Sequence, residues 1–348
     1  MTAADGRLPG IDALKGLGCT LIVWHHLAFY GPMSDVVHGA APALMDWFYS
    51  YARMAVQVFL VLGGFLAACS LAPQGRAGFQ QPLRLILKRY RRLALPLVVA
   101  VLITVAVATM VRPWLQHDSV PGAPTLWQLL AHLFLLQDLV GQEALSAGIW
   151  YVAIDLQLFA MTVLVLSLVR GEGHRWLVLG LAASSLLLFN RHGGLDSTGL
   201  YFFGAYALGM MAWWASRSER PVRWLLAIAG LGAVALLLDF RGRLLVAVVV
   251  ALVLVWLQRS ARPTRWLQQS WVLRLGQISY SVFLIHFPVC LMVNAVVSHF
   301  WPAQLAANAL GMLAAFGLSL LAGDALYRWV ESPRAPWRGL RKPPLAPQ

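Results

Sequence analysis

The chain has 348 residues, of which 59% are hydrophobic and only 12% are Asp, Glu, Lys or Arg. Soluble domains carry about 25% charged residues, so this composition excludes soluble globular, disordered and fibrous proteins and indicates a membrane protein with several spans. The net charge of +13 does not indicate nucleic-acid binding, because the basic residues are scattered between apolar stretches, as in the cytoplasmic loops of membrane proteins.

Ten apolar stretches of roughly spanning length follow one another along the chain, since about 20 helical residues cross a hydrocarbon core of about 30 Å. Each is expected to be an α-helix, because a bilayer offers no other partners for backbone N–H and C=O groups. The stretches cover residues 11–30, 52–72, 93–112, 147–169, 176–192, 198–216, 224–240, 244–258, 277–299 and 304–326.

The segment 125–141 is ambiguous, because it is marginal in length and carries several polar residues. If it does not cross, 21 of the 27 Lys and Arg residues fall in loops on one side, together with both termini, and that side is the cytoplasm. If it crosses, two of the later arginine clusters move to the outside. We therefore interpret it as re-entrant or interfacial. Five arginines stay at the outer edges of the spans: Arg53, Arg112, Arg191, Arg241 and Arg243.

The sequence thus predicts an all-α, polytopic membrane protein with about ten transmembrane helices, one re-entrant or interfacial helix and both termini in the cytoplasm. We expect residues 1–334 to form a single integral-membrane domain, and residues 335–348 to form a short, basic and Pro-rich cytoplasmic tail. The three cysteines lie far apart inside apolar stretches and have no metal-ligand spacing. We interpret them as packing residues and expect no metal.

Ionisable side chains inside the spans are candidates for function, because a charge at a helix centre costs about 2.5–3.5 kcal/mol. Lys15 and His26 are 11 residues apart on the first helix, which places them within about 20° on one face and about 16 Å apart along the axis. Asp155 and His286, on two other helices, are expected at depths in the middle to outer half of the membrane, as is His26. Together these residues predict a polar cavity there.

Each of these residues also has an ordinary interpretation. A lone intramembrane histidine is often only hydrogen-bonded to a neighbouring helix, and a lysine such as Lys15 can extend to the interface. The arginines Arg89, Arg91 and Arg92, just before Pro96, are equally consistent with topology anchors and with binding sites for a phosphorylated cofactor.

Six motifs, in this order, resemble those of integral-membrane acyltransferase family 3, bacterial enzymes that O-acylate cell-surface sugars. The resemblance runs from about residue 7 to residue 334, nearly the whole chain. The motifs are GIDALKGLGCTLIVWHHL (10–27), QVFLVLGGFLAA (57–68), RYRRLALP (89–96), WYVAIDLQLF (150–159), ISYSVFLIHFPV (278–289) and YRWVESP (327–333).

Within these motifs, Lys15 and His26 fall on the family's basic residue and histidine separated by ten residues, and Asp12 falls on the acid that precedes them. The chain departs from the family pattern at three positions. They are Gly63 and Tyr151, each in place of a serine, and Asp155 in place of a glutamate.

The resemblance implies a membrane O-acyltransferase that takes an acyl group, acetyl above all, from cytoplasmic acyl-CoA. His26 is expected to be the general base or to carry the acyl group as an acyl-imidazole, and the sequence leaves both routes open. Asp155 is expected to orient His26 or the acceptor, and Lys15 to act in catalysis and in binding the donor. The CoA phosphates are expected to bind at Arg89, Arg91, Arg92 and Lys15.

The implied acceptor is a saccharide or lipid-linked saccharide at the outer side of the bacterial inner membrane, with His286, Trp150 and Tyr280 as its binding residues. Membrane lipid and polysaccharide-assembly proteins are the other expected partners, and nucleic acid is not. The alternative function is a transporter of a sugar or lipid-linked intermediate with an Asp/His proton relay. Against it stands the lack of an internal repeat of the kind that many transporters carry.

Overall fold

The structure describes residues 9–168, 173–260 and 265–332, and the regular secondary structure of this part of the chain is helical. In this computed structural model those residues contain thirteen α-helices and no β-strand, which confirms the all-α fold. The predicted tail, residues 335–348, lies outside the described residues. The helices are α1 (Pro9–Phe29), α2 (Pro32–Ala40), α3 (Pro42–Ser50), α4 (Val56–Leu71), α5 (Pro82–Val111), α6 (Leu126–Leu133), α7 (Trp150–Leu168), α8 (Gly173–Leu187), α9 (Gly199–Arg217), α10 (Pro221–Leu238), α11 (Gly242–Arg259), α12 (Ser270–Phe300) and α13 (Leu305–Leu326).

Among the described residues, seven helical segments are long and apolar enough to cross a membrane, as in a multi-pass membrane protein. All ten predicted stretches contain a helix. However, α8 has only 15 residues, and α1 and α9 carry polar and small residues that lower their mean hydropathy. Ten crossings and a cytoplasmic location of both termini therefore stay predictions. The seven segments are Pro42–Leu71, Pro82–Val111, Trp150–Leu168, Pro221–Leu238, Gly242–Arg259, Ser270–Phe300 and Leu305–Glu331.

The ambiguous segment 125–141 contains the short helix α6, whose eight residues span about 12 Å. The Thr125 hydroxyl caps its start by accepting a hydrogen bond of 3.1 Å from the backbone N–H of Gln128. Just after its end, Leu135 adopts a φ of 59°, which a right-handed helix does not contain. A helix this short cannot cross the bilayer, in agreement with the predicted re-entrant or interfacial segment.

Helix α9 lies at the centre of one half of the bundle, because its fifteen consecutive residues from Tyr201 to Ala215 are all buried. It packs against α4, α7, α8, α10 and α11. The contact with α4 is closest where two glycines face the opposite backbone. A Cβ on Gly64 would overlap the carbonyl oxygen of Tyr206, and a Cβ on Gly209 would overlap that of Val61. Small residues of this kind allow helices in a membrane to approach closely.

A second close crossing, between α1 and α12, positions the candidate site. A Cβ on Gly276 would overlap the carbonyl oxygen of Asp12, and the Cys19 thiol donates to the carbonyl oxygen of Ser279 at 3.3 Å. Helix α12 continues for 31 residues through Pro288, which cannot donate a backbone hydrogen bond. The crossing therefore keeps the second half of α1 beside the middle of α12.

We predict that Gly64→Ala lowers stability, because the added methyl group forces α4 and α9 apart, an overpacking cost of about 1–3 kcal/mol. Gly230→Ala on α10 is the matched control, since a Cβ there meets no atom within 4 Å and alanine favours the helix. Thermal unfolding of both variants in detergent measures the difference. Equal melting temperatures for the two variants would contradict the close packing of α4 on α9.

Candidate functional site

Two histidines on different helices form a hydrogen-bonded pair. His26 on α1 and His286 on α12 are both buried, with 8% and 1% of their surface exposed. The Nδ1 atom of His26 lies 2.6 Å from Nε2 of His286, and Nδ1 of His286 lies 2.7 Å from the carbonyl oxygen of Phe283. The structure thus brings together two of the residues that the sequence singled out, and connects them directly.

The hydrogen-bond network assigns the protons of this pair. A carbonyl oxygen only accepts, so Nδ1 of His286 carries a proton and donates it to Phe283. In the neutral ring, Nε2 of His286 is then an acceptor, and Nδ1 of His26 donates to it. This leaves Nε2 of His26 with a free lone pair. A neutral imidazole held in this tautomer is suited to accept a proton or to attack an electrophile.

Two cavities meet at His26. One has a volume of about 720 Å³ and the other about 410 Å³. Their shared wall consists of His25, His26, Arg53, Gly148 and Trp150. Both volumes lie in the range of small-molecule sites. His26, the more exposed member of the pair, is therefore accessible from two cavities.

The larger cavity combines aromatic rings with charged groups, among them Tyr201, Asp138, Asp196 and Arg243. Arg243 donates to the Tyr201 hydroxyl, which fixes both side chains. Asp138 accepts a hydrogen bond of 2.8 Å from the Gln137 side chain. Burial raises the pKa of Asp138 above its ordinary value, and this hydrogen bond opposes the rise. The cavity wall is thus polar and preorganised.

Asp155, which the sequence placed beside His26 or the acceptor, is bound to Arg89 instead. Arg89 Nη2 donates to Asp155 Oδ1 and Oδ2 at 2.8 and 2.7 Å, and Nε donates to Oδ2 at 3.1 Å. The Asp155 side chain is 7% exposed and that of Arg89 27%, and Arg89 also lies 5.4 Å from the ring centre of Phe159. The structure joins a predicted catalytic residue to a predicted cofactor-binding residue in one ion pair between α5 and α7.

Lys15 lies near the other end of α1 and does not contact His26. Its Nζ is 3.9 Å from Asp12 Oδ1, and it interacts electrostatically with Arg89, Arg92 and Glu331. The predicted donor-binding residues Arg91 and Arg92 are exposed. The structure therefore places Lys15 near Arg89 and Arg92, two of the three arginines predicted to bind the donor.

The remaining predicted site residues have separate positions. Trp150 lines both cavities, and its ring packs on Phe202 with a centroid distance of 5.6 Å. The Tyr280 hydroxyl donates to the carbonyl oxygen of Leu93 at 2.9 Å, so it links α12 to α5 rather than facing the cavities.

Most of the cavity residues were not predicted as site residues, among them Arg53, Arg241, Arg243, Ser146 and Gly148. The arginines did carry a signal, because the sequence predicts them at outer edges of the spans, where the charge rule disfavours basic residues. Gly148 lies two residues before the first residue of α7, and its φ of 75° requires glycine. Nothing in the sequence distinguishes Ser146 from other loop serines.

Comparison with known proteins identifies one family. The sequence profile of a family described as an acyltransferase domain, acyltransferase family 3, matches residues 8–328. No curated protein and no solved structure matches the chain. The match covers all of the helices that carry the histidine pair, the Asp155–Arg89 ion pair and both cavities.

We predict that Arg89→Gln lowers the free energy of unfolding by about 3–5 kcal/mol, because it leaves the buried Asp155 carboxylate without its partner. The double variant Arg89→Met with Asp155→Leu is expected to lose less, since it removes both charges. Thermal unfolding in detergent measures these changes. Arg84→Gln is the control, because Arg84 is exposed and bonds only Gln81 in the described chain. A wild-type melting temperature for Arg89→Gln would contradict a structural role of the ion pair.

Proposed function

The chain belongs to acyltransferase family 3, and from that premise we propose that it is an O-acyltransferase of the bacterial inner membrane. It transfers an acyl group, acetyl in this proposal, from cytoplasmic acyl-CoA to a hydroxyl of a cell-surface or lipid-linked saccharide on the outer side. The observation that carries the proposal is the free Nε2 of His26, held in place by His286 where two cavities meet.

The basic side chains around Lys15 support binding of the CoA phosphates. Arg91 and Arg92 are exposed, and guanidinium groups bind phosphate through paired hydrogen bonds. Arg89 is already paired with Asp155. We therefore assign the phosphates to Arg91, Arg92 and Lys15, while the Arg89–Asp155 pair holds α5 against α7 beside this binding site.

Acyl transfer at His26 can follow two routes, and atoms and electrons balance in each. In direct transfer, the acceptor hydroxyl oxygen attacks the thioester carbonyl carbon and its proton passes to Nε2 of His26. The carbonyl then reforms, the C–S bond breaks, and the proton moves from His26 to the CoA sulfur. In the covalent route, Nε2 itself attacks the thioester carbonyl carbon, the C–S bond breaks and CoA leaves as the thiolate. The acceptor hydroxyl oxygen then attacks the acyl carbon, the bond from that carbon to Nε2 breaks, and the hydroxyl proton passes to the CoA thiolate. Both routes require the unprotonated Nε2.

The larger cavity supports a saccharide acceptor. The flat rings of Trp150 and Tyr201 suit the apolar faces of a sugar ring, while Asp138, Asp196 and Arg243 suit its hydroxyl groups. His286 uses both ring nitrogens within the protein, so its role in this proposal is to orient His26. Lipid-linked acceptors would reach the cavity from the membrane or from polysaccharide-assembly proteins.

The transporter alternative receives no support from the geometry. A proton relay needs titratable groups within hydrogen-bond reach of one another. Asp155 is instead committed to Arg89 by three hydrogen bonds, and the partner of His26 is His286. The ion pair with Arg89 stabilises the bundle and leaves the Asp155 carboxylate unavailable for an Asp/His proton relay.

We predict that His26→Ala abolishes acyl transfer, with a loss of at least about 10²–10⁴-fold from the missing proton acceptor. Membranes from cells that express the variant are assayed for transfer of label from radioactive acetyl-CoA to surface glycan, with the protein level measured in parallel. His192→Ala is the control, because His192 is exposed and lines neither cavity. Near-normal transfer by His26→Ala would refute the assignment.

A labelling experiment separates the two routes, and glycan mass spectrometry identifies the acceptor. In the covalent route, radioactive acetyl-CoA without acceptor leaves a hydroxylamine-sensitive label that is missing in His26→Ala. In direct transfer no such label forms. Comparison of surface glycans from cells with and without the gene gives the modified sugar and the mass of the acyl group.

We predict that His286→Ala keeps the protein in the membrane but lowers kcat by about 10- to 100-fold, the range found for groups that orient metal-bound histidines. The reason is that His26 loses the acceptor that fixes its tautomer. The same membrane assay measures the rate. A kcat equal to that of wild type would show that His286 does not orient His26.

A further inference from the structure

The turn that precedes α7 lies against the imidazole of His26. Gly148 in this turn has a φ of 75°. A Cβ built on Gly148 would lie 3.1 Å from Cε1 of His26 and 3.0 Å from the ring of Phe283. Because Cε1 is the atom between the two ring nitrogens, the backbone of the turn reaches the edge of the ring next to the free Nε2.

The same turn carries hydrogen-bond donors without acceptors. Ser146 is only 3% exposed, and its Oγ has no hydrogen-bond partner within the described part of the chain. It lines the smaller cavity together with His26 and Gly148. The backbone amides of Ala147 and Gly148 also donate to no acceptor among the described residues. Leaving a buried polar group such as the Ser146 hydroxyl unpaired costs about 1–3 kcal/mol, and unpaired buried groups are rare in native proteins.

The electrostatic field of helix α7 also favours negative charge near these donors. They stand just before Trp150, the first residue of the 19-residue helix α7, where the helix dipole favours negative charge. The turn that lines the cavity beside the reactive nitrogen thus carries a hydroxyl and two backbone amides and leads into a helix N-terminus. This combination resembles the donor sets that stabilise the oxyanion in acyl transfer.

We propose that residues 146–148 form an oxyanion-binding site that holds the carbonyl oxygen of the acyl thioester. The inference rests on the proposed acyl transfer and adds the group that stabilises its transition state. When the acceptor oxygen, or Nε2 of His26, bonds to the carbonyl carbon, the π electrons of the C=O bond move to the oxygen. The resulting oxyanion accepts hydrogen bonds from Ser146 Oγ and the amides of Ala147 and Gly148. The C=O bond reforms as the C–S bond breaks and CoA leaves.

The charges around the smaller cavity favour a transient oxyanion over a permanent anion. Asp118 and Glu143 line this cavity together with Arg53, and the two carboxylates outnumber the one guanidinium, which disfavours a bound phosphate or carboxylate. A thioester carbonyl is neutral when it binds. In direct transfer its negative charge develops together with the positive charge on His26, so the pair remains neutral overall.

The test uses Ser146→Ala, Ser146→Thr and the control Ser298→Ala. Ser298 on α12 also has a buried hydroxyl without a partner in the described residues, and it lines neither cavity. Initial rates are measured in inverted membrane vesicles from the producing cells, which hold the natural acceptor, at increasing concentrations of radioactive acetyl-CoA. Melting temperature in detergent and protein level are measured for each variant.

We expect Ser146→Ala to lower kcat by about 10²–10³-fold, as for removal of one oxyanion donor. KM for acetyl-CoA should stay within about twofold of wild type, because the donor acts in the transition state. The melting temperature should stay within a few degrees of wild type. Ser146→Thr, which keeps the hydroxyl, should recover most of the rate, and Ser298→Ala should match wild type.

Three results would overturn the inference, and they differ in what else they overturn. Turnover that needs His26 but is unchanged in Ser146→Ala removes the oxyanion site and leaves the proposed function standing. A wild-type protein that shows no His26-dependent transfer removes both. A loss of kcat in Ser146→Ala that Ser146→Thr does not recover assigns the effect to packing and overturns the inference as well.

Discussion

The hydrogen bond between His26 and His286 is the interaction on which the site depends, and it exists only because α1 and α12 cross closely. Gly276 allows this approach, since any side chain there would overlap the backbone of α1 at Asp12. The Cys19 thiol adds a contact to α12 one helical turn beyond this point. Backbone packing near one end of α1 thus fixes the tautomer of a reactive imidazole near the other end. A change at this glycine would alter the chemistry of the site without touching either histidine.

The bundle separates its permanent charges from its reactive group. Asp155 is buried and Arg89 is partly buried, and three hydrogen bonds join them in an ion pair. An unpaired buried carboxylate would cost several kcal/mol. The histidine pair is neutral in the assigned tautomers, so it can stand in an apolar environment without a counterion. An imidazole in this state can still take up a proton when the reaction supplies one. In the proposed function the ion pair therefore serves stability and the histidine pair serves chemistry, although sequence analysis placed Asp155 and His26 in one catalytic group.

The sequence predicted what depends on a single helix and missed what depends on how helices pack. Apolar runs located helices at all ten predicted stretches, and Lys15 and His26 were recognised as one face of α1 because a helix is rigid. The partner of Asp155 could not be read from the sequence, since residues 89 and 155 meet only through the packing of α5 on α7. The role of residues 146–148 was also invisible, because it results from a positive φ at Gly148 and from the way the turn lies on His26.

The arginines that the sequence predicts to lie outside show how a topology rule can point to a site. Basic residues prefer the cytoplasmic side, so arginines at the predicted outer helix ends need another source of stability. Arg241 has one, because it donates to Asn190 and to the carbonyl oxygen of Leu186 and lies 3.5 Å from Asp239. Arg53 has no carboxylate within ion-pair distance among the described residues, and it lines both cavities beside His26. Arg241 therefore organises the cavity wall, whereas the guanidinium of Arg53 is left for solvent or for a ligand that enters the cavities.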